Sequence, residues 1–368
     1  MSEQANRADV VVVGGGVAGL TAAWRASAHG LSVLLLERDR LGDGASRVAA
    51  GMLAPVAETE FGTAARHALE LGLRAAAMWP DFAAELSLAS GCELALHRGG
   101  TLLLARDNDE ARELERQIAL RESLGLPTKR LRASEARTLE PSLAPSLRLA
   151  LQAPDDHSVD PRSLLRALRR ACAASGVELR EHVAVAALHL DETGTAVRGV
   201  KLADGSPVAA RAVVLAAGAW TESIDVPAPA RVAVRPVKGQ ILRLRDPAGP
   251  GLLSRTIRYD GGYLVPRGDG RYVLGATVEE RGFDASATAR GVYELLRAAR
   301  ELVPGVLELE IEELSVGFRP GTPDNLPRIG PGALAGLVWA TGHYRNGILL
   351  APLTGALVLQ ALRSQVPA

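Results

Sequence analysis

Blocks of apolar residues near the start of the chain predict a strand, a helix and a second strand. Val10–Val13 is a short β-branched run typical of a buried strand. Leu20–His29 has a helical pattern, and Gly30 after it favours a helix end. Leu31–Leu36 is a second apolar strand, followed directly by Glu37. The order predicts a βαβ unit that ends in an acid.

A glycine-rich turn joins the first strand to the helix and reads G-x-G-x-x-G from Gly14 to Gly19. Gly14 permits a tight turn, Gly16 lets a pyrophosphate approach the backbone, and Gly19 lets the helix pack closely. Free N–H groups at the helix start face the phosphates. Glu37 is placed to accept hydrogen bonds from both ribose hydroxyls and would repel a 2′-phosphate. The unit therefore predicts a site for FAD or NAD and argues against an NADP-type ligand.

The next part of the chain alternates helical and β patterns. Thr63–Ser90, Asp109–Leu124 and Ser163–Ser175 predict helices. Cys92–Ala105 predicts strands in a hairpin-like arrangement around a Gly-Gly pair. Leu139–His157 contains three prolines, so we expect an irregular segment that crosses between domains.

The region from Val232 to Phe318 is dominated by short β segments, which predict an antiparallel sheet in a second domain. The final part returns to an α/β pattern. Leu337–Ala340 predicts a strand, and Ile348–Leu362 predicts an apolar helix that tolerates Pro352 in its first turn. The chain is thus expected to be an α/β protein with an added α+β domain.

Composition excludes several classes of function. Lys plus Arg and Asp plus Glu both number 42, so the balanced charge gives no case for nucleic acid or an anionic membrane. The two cysteines form no disulfide framework or metal-ligand cluster, and Cys172 in a helical pattern is expected to be a buried thiol. With no signal peptide visible, we expect a cytoplasmic protein that binds no metal.

Several longer motifs carry a resemblance that covers nearly the whole chain. In addition to the glycine-rich unit, these are AAGMLAP at 49–55, RPVKGQ at 235–240, YLVPR at 263–267, LGAT at 274–277, GFRPGTPDNLPRIGP at 317–331 and GHYRNGILLAPLTG at 342–355. Together they resemble the D-amino-acid-oxidase superfamily, and within it the glycine oxidases of thiamine biosynthesis. The resemblance selects FAD over NAD, because the family uses the βαβ unit for the ADP half and later segments for the flavin half.

The resemblance implies a set of residues that hold FAD. Around the ADP half, pyrophosphate and flavin ring these are Gly14, Gly16, Val17, Ala18, Gly19, Glu37, Arg38, Ser46, Ala50, Gly51, Met52, Val185, Ala217, Gly218, Trp220, Gly342, His343, Arg345, Asn346, Gly347 and Ile348. The helix beginning near Gly347 would direct its positive end at the flavin. No cysteine follows Cys172, so we expect FAD to be non-covalent.

The resemblance also implies the domain organisation. It predicts a Rossmann-like FAD-binding domain of the glutathione-reductase type from residues 1–87, 155–228 and 326–368. Residues 88–154 and 229–325 would form the α+β substrate domain with its antiparallel sheet.

Three side chains are implied in catalysis. Arg319 and Tyr263 match the family's carboxylate clamp, and Arg345 adds a second positive charge. The implied reaction is oxidation of glycine, sarcosine or a small D-amino acid by hydride transfer to the flavin. Electrons then pass to O₂, giving H₂O₂, and the imine is hydrolysed or used for thiazole formation. Gly261-Gly262 before Tyr263 opens the pocket rim, which leaves strict glycine preference open.

Two alternatives remain open at this point: a dehydrogenase of the same fold that uses a quinone or other acceptor, and a non-catalytic flavoprotein. Family members are often tetramers, so the resemblance also implies a homo-oligomer.

Overall fold

The computed structural model describes residues 7–365. Within them the chain forms helices and strands in α/β order. The helices are α1 (Val17–Ser27), α2 (Ala45–Val48), α3 (Thr63–Ser90), α4 (Asn108–Ser123), α5 (Ala133–Leu139), α6 (Pro161–Ala174), α7 (Ala289–Leu302) and α8 (Ala351–Gln365). Short 3₁₀ turns occupy Gly218–Ser223, Ala228–Ala230 and Pro304–Glu308.

The strands belong to two large sheets and one small one. They are β1 (Arg7–Val13), β2 (Val33–Leu36), β3 (Met52–Leu53), β4 (Leu96–His97), β5 (Thr101–Ala105), β6 (Lys129–Arg132), β7 (Leu149–Ala153), β8 (His157–Val159), β9 (Glu178–Arg180), β10 (Val185–Leu190), β11 (Val197–Leu202), β12 (Pro207–Leu215), β13 (Arg235–Arg245), β14 (Thr256–Tyr259), β15 (Gly262–Pro266), β16 (Arg271–Gly275), β17 (Glu310–Gly321), β18 (Arg328–Pro331) and β19 (Leu337–Thr341).

The first sheet is built on the βαβ unit. Strands β12, β1, β2 and β9 are parallel neighbours, and β19 joins β12 on its other side, also parallel. Val10 and Val12 point to the core shared with α1, α3, α6 and α8, whereas Val11 and Val13 pack on the opposite face. This two-sided burial is why β1 is a continuous apolar run. The predicted strand–helix–strand unit is confirmed.

The second sheet has the order β17-β13-β16-β15-β14-β5-β7-β6. It is mainly antiparallel, as expected, but β14 and β5 pair in parallel with Ile257 opposite Leu102. One face carries a core with α7, which begins at Ala289 because the Thr288 hydroxyl accepts a hydrogen bond from the N–H of Gly291. On the opposite face, Ile241 and Val265 pack against Ala50, which lies between α2 and β3.

The segment Leu139–His157 is irregular only in part, because the expectation holds for residues 140–148 but not for the strands that follow. It contains β7 and the start of β8, and Leu149–Ala153 pairs on one side with β5 and on the other with β6. Prolines 145 and 154 flank this strand, so they do not remove any of its hydrogen-bond donors.

The hairpin expected within Cys92–Ala105 is also wrong. Strand β4 pairs with β8, and β5 pairs with β7 and β14, so the two strands belong to different sheets. Gly100, with φ of 78°, redirects the chain between them.

The last helix begins three residues later than expected, at Ala351. Residues 347–350 form a turn that continues into it, because the N–H of Leu350 donates to the Asn346 carbonyl at 2.8 Å. Pro352 is therefore the second residue of the helix, where it removes no intrahelical hydrogen bond.

No helix among residues 7–365 is long and apolar enough to cross a membrane.

The domain boundaries stay a prediction.

Cys172 is fully buried, as expected, and burial raises the pKa of its thiol to about 12.

Candidate functional site

A cavity of about 1210 Å³ extends from the glycine-rich turn to the second sheet. This volume exceeds the roughly 300–1,000 Å³ typical of pockets for drug-sized ligands, so it suits an extended ligand with room for a second molecule. Tyr263, Arg319 and Arg345 all line it. So do all the predicted cofactor residues except Gly19 and Gly342. The fold thus brings together residues separated by more than 300 positions.

Gly19 and Gly342 do not line the cavity, but they allow close packing of the segments that form its wall. A Cβ at Gly19 would lie 1.9 Å from the Gly14 carbonyl oxygen, so only glycine lets α1 approach the turn. Gly14 itself has φ of 106°, and a Cβ there would lie 2.5 Å from the Ala216 oxygen. Gly342 has φ of 74° and would crowd the Thr322 methyl group. These glycines serve backbone geometry and close packing.

The start of α1 is built to receive an anion. Its N-cap residue, Gly16, provides no side-chain acceptor, and the first turn contains no acid. The Val17 N–H donates to the Ser46 hydroxyl at 3.0 Å. Since the remaining N–H groups and the helix dipole favour negative charge, these residues fit the diphosphate of a dinucleotide.

Glu37 lies at the end of β2, as the sequence predicts, and lines the cavity. One of its carboxylate oxygens accepts from the Gly15 N–H at 2.6 Å, and the other accepts from the Asp39 N–H at 2.8 Å. These bonds orient the carboxylate beside the turn. Nearby, the Arg38 guanidinium lies 4.4 Å from the Trp220 ring centroid. The two planar groups form a flat part of the cavity wall.

The second sheet supplies the opposite wall, where two glycines make room for the predicted clamp. Arg319 projects from β17, and a Cβ at Gly239 on β13 would lie 2.6 Å from its Nη1. Tyr263 projects from β15, and a Cβ at Gly275 on β16 would lie 2.5 Å from its hydroxyl. Glycines in the RPVKGQ and LGAT motifs therefore create the space that each clamp side chain occupies.

The Arg319 guanidinium has N–H donors that are available to a ligand. Its Nη1 donates to the carbonyls of Lys238 at 3.3 Å and Thr277 at 3.1 Å, and it forms no ion pair with any described residue. Burial raises the pKa of Tyr263, which keeps its phenol protonated and able to donate. Together these side chains can bind a carboxylate.

His343 lines the cavity but is engaged inside the protein. Its Nε2 is 2.9 Å from the Thr354 hydroxyl on α8, and burial lowers its pKa to about 4. The ring is therefore neutral near pH 7. Arg345 faces the cavity more loosely, with Nη1 3.6 Å from a carboxylate oxygen of Glu60.

An ion pair in the cavity wall is not among the site residues that the sequence predicts. Arg258 Nη1 donates to Glu58 Oε1 at 2.6 Å, and both side chains are mostly buried. The partners are 200 residues apart, so no local pattern could pair them. The position of Glu58, three residues after the end of the AAGMLAP motif, is the one sequence signal that points to this wall.

A fully buried arginine supports this wall from α4. Arg121 donates through Nε to the Val56 carbonyl at 2.9 Å and through Nη2 to the carbonyls of Ala57 and Thr59. Buried Asp156 accepts from the N–H groups of Val56 and Ala57. Burial lowers the pKa of Arg121 to about 10 and raises that of Asp156 to about 7. The backbone before Glu58 is thus held by charge-assisted hydrogen bonds.

Lys238 of the RPVKGQ motif is also fully buried. Its Nζ donates to Asp284 at 2.9 Å and lies 3.7 Å from Glu279. It therefore anchors the segment after β16 in which exposed Val278 lines the cavity.

Among residues 7–365, no group of three or more His, Cys, Asp or Glu is arranged to hold a metal ion.

Comparisons with known proteins agree with this geometry. Residues 9–361 match the DAO family model, described as FAD dependent oxidoreductase. The chain is 37% identical over 355 residues to glycine oxidase of Geobacillus kaustophilus, covering 96% of this chain and 92% of that protein. It is 36% identical to the bifunctional protein ThiO/ThiG of Trichormus variabilis, covering 97% of this chain and 53% of that protein.

Solved structures give the same result. The crystal structure of glycine oxidase from Geobacillus kaustophilus superposes with a TM-score of 0.90 at 35% identity, covering 99% of this chain and 96% of that one. Iminodiacetate oxidase from Chelativorans superposes with a TM-score of 0.85 at 30% identity, covering 97% and 95%. The chain therefore belongs to the DAO family of FAD-dependent oxidoreductases, and its cofactor is FAD.

Proposed function

We propose that the protein oxidises glycine and other small amino acids, such as sarcosine and D-alanine, to the imine with O₂ as acceptor. The observation that carries this proposal is that Tyr263 and Arg319, which forms no ion pair with a described residue, line the same cavity as the segments predicted to bind FAD. Similarity to proteins named glycine oxidase supports the substrate class.

In this proposal Arg319 binds the substrate carboxylate through its planar guanidinium fork, and the Tyr263 hydroxyl donates a further hydrogen bond. The positive charge of Arg319 and the loss of water in the cavity favour the neutral amine over the ammonium form. Bound FAD supplies the two-electron acceptor. The substrate loses two electrons and two protons to become the imine, O₂ gains two electrons and two protons to become H₂O₂, and water converts free imine to the 2-oxo acid and ammonia or amine.

Residues on the other walls have supporting roles in the proposal. The α1 start, Glu37 and Trp220 would hold the ADP half, and the segment around Gly51 together with Asn346 and Gly347 would lie along the flavin. The glycines at 261 and 262 leave the cavity rim open, which supports acceptance of N-methyl or small side-chain substituents.

The test is anaerobic mixing of the FAD-loaded protein with glycine, sarcosine and D-alanine while the visible flavin absorbance is followed. We expect bleaching with at least one substrate, and H₂O₂ after air is admitted. Absence of bleaching with every substrate would refute the proposal. Bleaching followed by reoxidation only with an artificial dye would instead identify a dehydrogenase.

The finer assignments are also proposals. Relatives named ThiO/ThiG support a role in thiamine biosynthesis, with the imine consumed in thiazole formation. We further propose non-covalent FAD, a cytoplasmic location and a homotetramer. Release of FAD on denaturation and light scattering of the purified protein test the first and last of these.

A further inference from the structure

Two arginines lie behind the segment 45–52, which forms one wall of the FAD cavity. Arg267 follows β15 and donates through Nη2 to the Ala50 carbonyl at 2.7 Å and through Nη1 to the Val159 carbonyl at 3.3 Å. Arg243 projects from β13 and donates through Nη2 to the Arg47 carbonyl at 2.8 Å. Neither arginine lines the cavity, whereas Ala50 and Gly51 both do.

The positions of these two arginines cost desolvation free energy. Arg243 is 8% exposed, and its Nε has no hydrogen-bond partner. Burial lowers the pKa of Arg267 to about 10. Neither guanidinium forms an ion pair with a described residue. Glu313 and Asp160 act on Arg243, and Asp160 acts on Arg267, only at longer range. A buried cation without a paired carboxylate carries a large desolvation penalty, so a purely structural site would be better filled by an apolar side chain.

The backbone they hold is fixed in one orientation. Gly51 has φ of 80°, its carbonyl accepts from the Val159 N–H at 2.9 Å, and a Cβ there would lie 2.0 Å from the Val159 oxygen. In a trans peptide the C=O and N–H groups point in opposite directions. Because the Ala50 carbonyl faces Arg267, the N–H of Gly51 points away from Arg267.

We propose that Arg267, supported by Arg243, is a positioning residue that fixes this peptide so that the Gly51 N–H donates to bound FAD. The proposal rests on the placement of FAD along the segment 45–52 given above. Arg267 has a second effect through its charge, because adding electrons to the cofactor adds negative charge that a nearby guanidinium stabilises.

The experiment compares Arg267→Met and Arg267→Lys with the wild type in FAD affinity and in the midpoint potential of bound FAD. Methionine removes both the donors and the charge, so we expect FAD affinity to fall roughly 10- to 100-fold and the potential to become more negative. Lysine keeps the charge but cannot bridge two carbonyls, so affinity should fall about 10-fold with a nearly unchanged potential. Neither measurement uses an amino-acid substrate, so failure of the proposed oxidase function would leave this result intact.

Arg271→Met is the matched control, since Arg271 lies in the same hairpin but is exposed and paired with Asp269. It should match the wild type in both measurements. Wild-type FAD affinity in Arg267→Met would overturn the proposal, as would equal potentials in the methionine and lysine variants. If the methionine variant does not fold, wild-type affinity in Arg267→Lys is sufficient to overturn it.

Discussion

Substitution of Gly239 by alanine tests the position of Arg319 separately from its presence. The added Cβ would lie 2.6 Å from Nη1, 2.7 Å from Nη2 and 2.8 Å from Cζ of Arg319. Ordinary contact begins at 3.4 Å, so the guanidinium must retreat by about 0.8 Å. Gly239 lies inside β13 and does not need a positive φ, so its backbone accepts alanine.

A displacement close to 1 Å at a substrate-positioning group costs up to about 100-fold in rate. We therefore expect kcat/KM for glycine to fall between about 10- and 100-fold in Gly239→Ala, or roughly 1.4–2.8 kcal/mol of transition-state stabilisation. Both a higher KM and a lower kcat should contribute, because the carboxylate is held less well and in a shifted place.

The assay is steady-state H₂O₂ production over a range of glycine concentrations, with bound FAD and the thermal midpoint measured on the same preparation. Gly291→Ala is the matched control. Its added Cβ would lie 2.6 Å from the side-chain amide of Gln240, the residue next to Gly239, outside the cavity. This control imposes comparable crowding away from Arg319, so it should change stability without raising KM. Wild-type kinetics in Gly239→Ala, or an equal loss in both variants, would refute the reasoning.

Three further substitutions probe separate parts of the site. Arg319→Met should reduce kcat/KM by at least about 100-fold while FAD stays bound, and flavin bleaching at the wild-type rate would contradict the clamp assignment. Gly16→Val should lose FAD first, since a Cβ already meets the Ser46 hydroxyl at 3.2 Å; retention of FAD with loss of turnover would disprove this order. Burial holds the pKa of His343 near 4 against an ordinary 6.5, so stability present above pH 6.5 is lost as the pH falls towards 4, by about 3 kcal/mol. His343→Gln should therefore lose less stability over that interval in thermal unfolding, and an unchanged pH profile would show that His343 does not titrate this way.

The cofactor half of the fold was the more predictable part. Its first strand, glycine-rich turn and helix follow each other in the chain, so apolar runs and glycines specify them locally. The motifs that carry the resemblance also located Arg319 and Tyr263, although their contacts with Gly239 and Gly275 depend on strand register.

The second sheet was less predictable, because its pairing is long-range. Strand β6 is mostly polar and exposed, with Leu131 its only buried residue, so its sequence does not look like a strand. The parallel pairing of β5 with β14 and the separation of β4 from β5 are set by tertiary packing. The Glu58–Arg258 pair and the carbonyl contacts of Arg267 likewise appear only once distant segments meet.

The contacts of Arg121 have a consequence for how freely this sequence can diverge. Within α4, Leu114, Ile118 and Arg121 are the buried residues, and the remaining positions are at least partly exposed. Its more exposed side is not uniformly free to vary, because Asp109, Glu110, Glu113 and Gln117 of this helix line the cavity. Arg121 does not line the cavity, but the carbonyls of Val56, Ala57 and Thr59 all accept from its one guanidinium. Free divergence is therefore confined to positions of α4 that neither line the cavity nor hold its backbone, such as the exposed Arg112 and Arg116.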